Sequence, residues 1–256
     1  EMVANPMAVR QPHFEPRAKR VIFMFMHGGP SQVDTFDYKP QLEKDSGKPL
    51  PFALPRVTSG TAGNLLRSPW NFKKYGQSGI EVSEIFANTA KHIDDIAVIR
   101  SMHANDPNHE PSLLLMNCGD SRLVRPSFGS WTTYGLGTEN QNLPGFVVLT
   151  SQGRGGQMQP IAARQWSAGF LPSRFQGVRF RNTGDLVPYL ANPPGVSAAG
   201  RRALLDDIAA LNAEHLADYG DPEIDTRISQ YEMAFRMQTS VPELTDFKPE
   251  PPEMLE

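Results

Sequence analysis

The chain has 256 residues, 39% of them hydrophobic, a formal net charge of -3 and a pI near 6.1. That suits one soluble globular domain or most of a larger one. It argues against nucleic acid, because the arginines are dispersed and no Lys/Arg block accompanies an aromatic stripe. No apolar run approaches the ~20 residues of a membrane span. The single cysteine, Cys118, excludes an internal disulfide and any Cys-rich metal site. Twenty-three prolines cluster in Lys39–Pro55, Pro188–Pro194 and Pro242–Pro252, which reads as long surface loops and a tail.

In chain order, residues 1–19 are polar and Pro-containing and read as an extended arm without the apolar core of a signal peptide. Val21–Met26 is a short unbroken apolar run, the pattern of a strand buried on both faces. It stops at His27, and Gly28-Gly29-Pro30 turns the chain, with Ser31, Asp34 and Asp37 following. An open α/β fold presents polar groups in this way beyond the carboxyl ends of its strands. The alternative is an ordinary first strand with a solvated turn. Ser31 has no general base near it in sequence, and G-G-P-S is not the G-x-S-x-G elbow of a serine hydrolase. Lys39–Ile80 carries no sustained period and reads as an irregular cover.

Glu81–Asp95 places Val82, Ile85, Phe86, Ala90 and Ile93 at helical spacing, and Ile96–Arg100 reads as a second buried strand. Strand, helix and strand in that order favour parallel pairing, which brings two polar turns to one sheet edge. The second turn runs from Ser101 to Ser112. Ser112–Cys118 reads as a buried helix ended by Gly119, with Pro111 in its first turn. Asn108, His109 and Ser112 would then sit at a helix N-terminus, where a phosphate or sulfate is held by free N–H groups and the dipole.

Further on, Ser127–Leu136 reads as a helix with Phe128, Trp131 and Tyr134 inward, and Phe146–Thr150 as a third strand. Ser151–Asp185 is rich in Gly and Arg, with a hairpin expected around Phe175–Phe180. Its arginines, Arg154, Arg164, Arg174, Arg179 and Arg181, fit a solvated loop better than an anion site. Two helices follow, Ala198–Leu216 and one opened by Asp221-Pro222 that runs to about Gln238. Met233 and Met237 read as core. The chain begins at Glu1 and ends in a Pro-rich stretch, so truncation at both ends is expected.

Four segments taken together resemble a bacterial family. They are KRVIFMFMHGGPSQVDTFDYKP (19–40), VIRSMHANDPNHEPSLLLMNCG (98–119), RPSFGSWTTYGLGTENQNLPGFVVL (125–149) and ELTDF (243–247). The family is the sulfatase-like domain of unknown function (1501) group, placed in the alkaline phosphatase superfamily. The resemblance implies an α/β fold, a three-layer sandwich with a mostly parallel central sheet, truncated here. It divides the chain into an arm (1–19), an incomplete alkaline phosphatase-like domain (20–241) and a Pro-rich tail (242–256) leading into a missing C-terminal half. It implies an exported, periplasmic or extracellular protein whose signal is absent from this chain.

The resemblance also implies a hydrolase of sulfate or phosphate esters that uses a divalent metal, zinc or calcium, present here as an N-terminal fragment expected to be inactive alone. Its substrate would be a sulfated or phosphorylated small molecule or glycan. His109–Gly119 matches the segment that carries the sulfatase nucleophile, with Pro111, Ser112, two leucines and Gly119 in step. His109 occupies the nucleophile position, where sulfatases carry Cys or Ser. An imidazole there could attack phosphorus, ligate a metal or act as acid–base. The candidate catalytic residues are His109, Asn108 and Ser112, and the candidate metal ligands are Asp34 and His27. The rival expectation is a non-catalytic anion- or glycan-binding protein on the same fold.

Overall fold

The computed structural model describes residues 5–52, 63–151, 162–182, 184–246 and 248–252. The chain divides into two compact units, Met24–Asn105 and Glu1–Phe23 with Asp106–Glu256.

In the Met24–Asn105 unit, a 3-10 turn at Gln32–Asp34 precedes the short helix α1 (Pro40–Lys44) and the strands β1 (Phe72–Tyr75) and β2 (Ile80–Ser83). The strands form an antiparallel hairpin with Tyr75 opposite Ile80. Asp94 closes the hairpin turn, accepting from the Gln77 and Ser78 amides at 2.8 and 2.9 Å. Buried Val82, Ala90 and Ile93 form the core, with Phe36, Tyr75, Phe86 and Val98 packed on it.

The helix expected over Glu81–Asp95 is therefore half strand and half 3-10 turn, at Glu84–Phe86 and Thr89–Asp95. Its apolar spacing serves either geometry, and pairing with Phe72–Tyr75 decides between them. Ile96–Arg100 forms no strand. Ile96 and Val98 turn to the core while Ala97 and Ile99 face out, so the alternation survives without a ladder.

The run at residues 21–26 is likewise in no strand. Ile22 is 85% and Met24 83% exposed, where a doubly buried strand was expected. Strand propensity specifies a side-chain surface, but a strand also requires a regular ladder of backbone bonds to a neighbouring strand. The turn after it is as expected: Gly28 and Gly29 have φ of 87° and 69°, values that favour glycine, and the Gly29 amide donates to the Met26 carbonyl at 3.1 Å.

The other unit contains α2 (His109–Cys118), α3 (Phe128–Leu136), β3 (Val147–Val148), β4 (Val178–Arg179), α4 (Ala198–Tyr219) and α5 (Pro222–Thr245). β3 and β4 pair in parallel. The segment expected as a hairpin near Phe175–Phe180 is a 3-10 turn, Ser173–Phe175, that leads into β4.

α3 also turns differently from expectation. Phe128, Trp131 and Tyr134 are half exposed, while Ser130 and Thr133 are buried. Ser130 Oγ donates to the Ser167 carbonyl at 3.0 Å, so the small polar face can approach the backbone closely. The aromatics form an edge-to-face chain instead, Trp131 with Phe170 at 5.8 Å and Tyr134 with Phe175 at 5.3 Å.

α4 and α5 form a helical pair separated by Gly220 and capped by Asp221, whose Oδ1 accepts from the Glu223 amide at 2.9 Å. Arg202 joins them, donating to both Glu232 carboxylate oxygens at 2.5 and 3.1 Å and to Asp206 at 3.0 Å. α5 runs through Pro242 into the stretch expected to be a Pro-rich tail. Phe180, Met237 and Val241 are buried together there, and that packing holds the last turns.

Residues 7–10 of the arm are docked. The Arg10 amide donates to the Leu136 carbonyl, and the Thr138 amide to the Met7 carbonyl, each at 2.9 Å. Gly137, with φ of 72°, lies so close to the Ala8 carbonyl that a methyl would collide with it. Gly137→Ala is expected to lower stability by about 1–3 kcal/mol through that clash and the left-handed backbone. Urea denaturation followed by far-UV circular dichroism checks this, and an unchanged midpoint would refute the docking.

Candidate functional site

The candidate catalytic residues open α2. Asn108 is its N-cap in extended conformation, with no side-chain cap. Its amide donates to Asp106 Oδ1 at 3.0 Å, and its carbonyl accepts from the Ser112 amide at 3.0 Å. Pro111 brings no N–H. The free donors of the first turn therefore reduce to the His109 and Glu110 amides. Ser112 Oγ donates to the His109 carbonyl at 3.0 Å, a local bond that keeps the hydroxyl against the helix. The His109 side chain is exposed.

Both ends of α2 are fixed to one segment. Glu110 forms an ion pair with Arg164. Cys118 Sγ donates to the Arg164 carbonyl at 3.4 Å, and burial pushes its thiol pKa up to about 11. Leu113 and Leu114 are buried between these anchors. α2 thus presents His109 outward from a held helix. Two carboxylates, Asp106 and Glu110, share the turn, so an anion there meets attraction from the helix end and repulsion from both side chains. Arg164 offsets the second.

The candidate metal ligands lie in the other unit. His27 is half-buried in the glycine turn. Asp34 ends the first 3-10 turn, and the hydroxyls of Ser68 and Ser31 hold its carboxyl below the usual carboxylate range. Among the described residues no group of three or more His, Cys, Asp or Glu side chains could hold a metal ion. Two donors do not make a hydrolytic metal centre, which needs at least three protein ligands for zinc and more for calcium. The described residues therefore do not fit a complete metal site, and no chemical step is derived through one. Asp37, at 2.8 Å from Lys39 Nζ and 4.0 Å from Arg100 Nε, is occupied by two cations of its own unit.

The Arg-rich loop is not simply solvated. Arg154 lies outside the described residues. Arg164 pairs with Glu110, and Arg174 is 8% exposed, bonded to Asp225 at 2.7 Å and to fully buried Thr226 at 2.9 Å. Arg179 and Arg181 are exposed.

Sequence reasoning missed a cleft of about 280 Å³ in the Met24–Asn105 unit. Tyr38, Trp70 and Phe72 supply its aromatic surface, and Lys39, Glu43 and Arg67 its charges. All six fall in or beside the stretch with no periodicity. The only available signal was the coincidence of aromatic and charged residues around Arg67–Phe72.

Residues 18–256 match the family described as "Protein of unknown function (DUF1501)". The chain belongs to that family. No curated protein and no solved structure matches it. Among the described residues, no helix of this family member is long and apolar enough to cross a membrane.

The lowered pKa of Asp34 gives a sign to its pH dependence. Its ionised form contributes stability above the unfolded value of about 3.9, and that contribution is lost as pH falls through the lower folded value. Asp34→Asn should lower the urea midpoint at about pH 7 and leave it closer to the parent's at about pH 2. Equal differences at both pH values would show that the Ser31 and Ser68 hydroxyls do not favour the ionised carboxylate.

Proposed function

We propose that this family member is a hydrolase of sulfate or phosphate esters, with His109 as the reacting group. The observation that supports this reading is the position of His109. It is the first residue of a ten-residue helix, exposed, and in the segment that resembles the sulfatase nucleophile segment. The ester's anionic oxygens would accept from the His109 and Glu110 amides, the two free donors of the turn. The imidazole would attack phosphorus as the ester P–O bond breaks, and the departing alkoxide would take a proton from water. Water would then cleave the P–N bond and restore the histidine.

A mostly parallel alkaline phosphatase-like sheet, export from the cytoplasm and a zinc or calcium ion belong to the same proposal. Asp34 and His27 are the metal donors it names, and further ligands would be required. The rival reading, a non-catalytic anion- or glycan-binding protein, is favoured by the cleft beside Trp70 and Arg67.

Hydrolysis of p-nitrophenyl phosphate and p-nitrophenyl sulfate by the complete gene product, with and without added zinc or calcium, separates the two. Turnover of either ester that falls about 100-fold or more in His109→Ala supports the hydrolase. Turnover unaffected by that substitution, or no turnover at all, overturns it.

A further inference from the structure

The cleft in the Met24–Asn105 unit is built from parts that are held in place before any ligand arrives. Residues 47–48 and 64–65 pair through their backbones. The Gly47 amide donates to the Leu65 carbonyl, and the Leu65 amide to the Lys48 carbonyl, each at 2.8 Å. Asn64 Nδ2 adds a bond to the Gly47 carbonyl at 2.8 Å. The Arg67 amide is fixed by Ser46 Oγ at 3.3 Å, and the Asn71 amide by Glu84 Oε1 at 3.1 Å. Ser68, between them, lies against Asp34. The segment from Arg67 to Asn71 is thus tied down along its length, although it has no regular secondary structure before β1.

What this frame presents is specific. The Trp70 indole is 46% exposed. Tyr38 stacks against Phe72 with ring centroids 5.0 Å apart, and its hydroxyl donates to Glu43 Oε2 at 2.5 Å. Lys39 is already neutralised by Asp37 at 2.8 Å. Among the described residues the Arg67 guanidinium has no carboxylate partner. The lining therefore offers one aromatic face, one unneutralised cation, and a carboxylate–hydroxyl pair able to accept from ligand hydroxyls.

We infer that this cleft binds a sugar carrying one anionic group, a uronic acid or a sugar monosulfate or monophosphate. Trp70 stacks on the ring and Arg67 holds the anionic group. The C–H face of a pyranose matches an exposed indole, and its hydroxyls match the Glu43 carboxylate. A guanidinium takes a carboxylate, sulfate or phosphate through two parallel N–H bonds. A polyphosphate fits poorly, because Glu43 stands in the lining and Asp37 already neutralises Lys39, so additional negative charge meets repulsion and no further free cation. A purely apolar ligand would leave the charged lining without partners. This site extends the rival reading above and does not depend on ester cleavage at His109.

Calorimetric and ligand-observed NMR titrations of the full chain test it, with glucuronic acid, a galactose sulfate, a glucose phosphate, glucose and inorganic sulfate as probes. At least one charged sugar should bind more tightly than glucose and more tightly than inorganic sulfate. The three charged sugars identify which anion is preferred. Arg67→Gln should bring that sugar to the affinity of glucose, a loss of about tenfold for one bidentate charged contact. Trp70→Ala should abolish binding while Trp70→Phe keeps it, a pair that separates stacking from misfolding. Binding unchanged in Arg67→Gln and Trp70→Ala, sulfate binding as tightly as the sugar sulfate, or no sugar binding would each overturn the site. Ester turnover is read separately, so failure of the hydrolase leaves this result standing.

Discussion

The larger unit depends on one segment, residues 162–168, most of which is the 3-10 turn Ala163–Trp166. Its carbonyls do the joining. That of Arg164 accepts from Cys118 at the end of α2, that of Trp166 from the Gly177 amide just before β4, and that of Ser167 from both the Ser127 amide and Ser130 Oγ of α3. Gln165, Trp166 and Ala168 are buried within it. A loop at this depth is stable only because each of these backbone acceptors finds a donor. Removing any of the three elements would leave polar groups unpaired in the interior, so α2, α3 and the β3–β4 pair stand or fall together.

That constraint explains the form of the candidate site. α2 is short, and its stability comes from anchorage more than from helix propensity. Glu110 meets Arg164 at the first turn and Cys118 meets the same residue's carbonyl at the last. The helix end carrying His109 is held without being covered. The second candidate location, the cleft around Trp70 and Arg67, follows the same logic in the other unit: irregular chain is fixed by hydrogen bonds to its backbone while Trp70 stays half exposed.

Signals that act within a few residues could be read from the sequence. Gly119 ends a helix in left-handed conformation, Asp221-Pro222 begins one, and Gly28-Gly29 turns the chain after Met26. Signals that require a distant partner were misread. Val21–Met26 has the composition of a buried strand and lies on the surface. Val82 sits at helical spacing and is in a strand, because Lys73 is its ladder partner. Phe128, Trp131 and Tyr134 are the apolar face of α3 by composition, yet the backbone of Ser167 selects the serine and threonine face instead.

The amino-acid sequence by itself determined the family, the existence of the helices α2 to α5, the stop at Gly119 and the start at Asp221-Pro222, and the placement of His109 at the head of α2. These rest on local backbone preference and on motif content, which need no partner. Only the tertiary structure decided which apolar faces are buried, that Arg164 and Arg174 serve as internal ties, and that Arg67, which lines the same cleft as Trp70, has no carboxylate partner among the described residues. Those outcomes depend on which groups meet across tens of residues, and a pattern of residue types along a chain carries no record of the meeting.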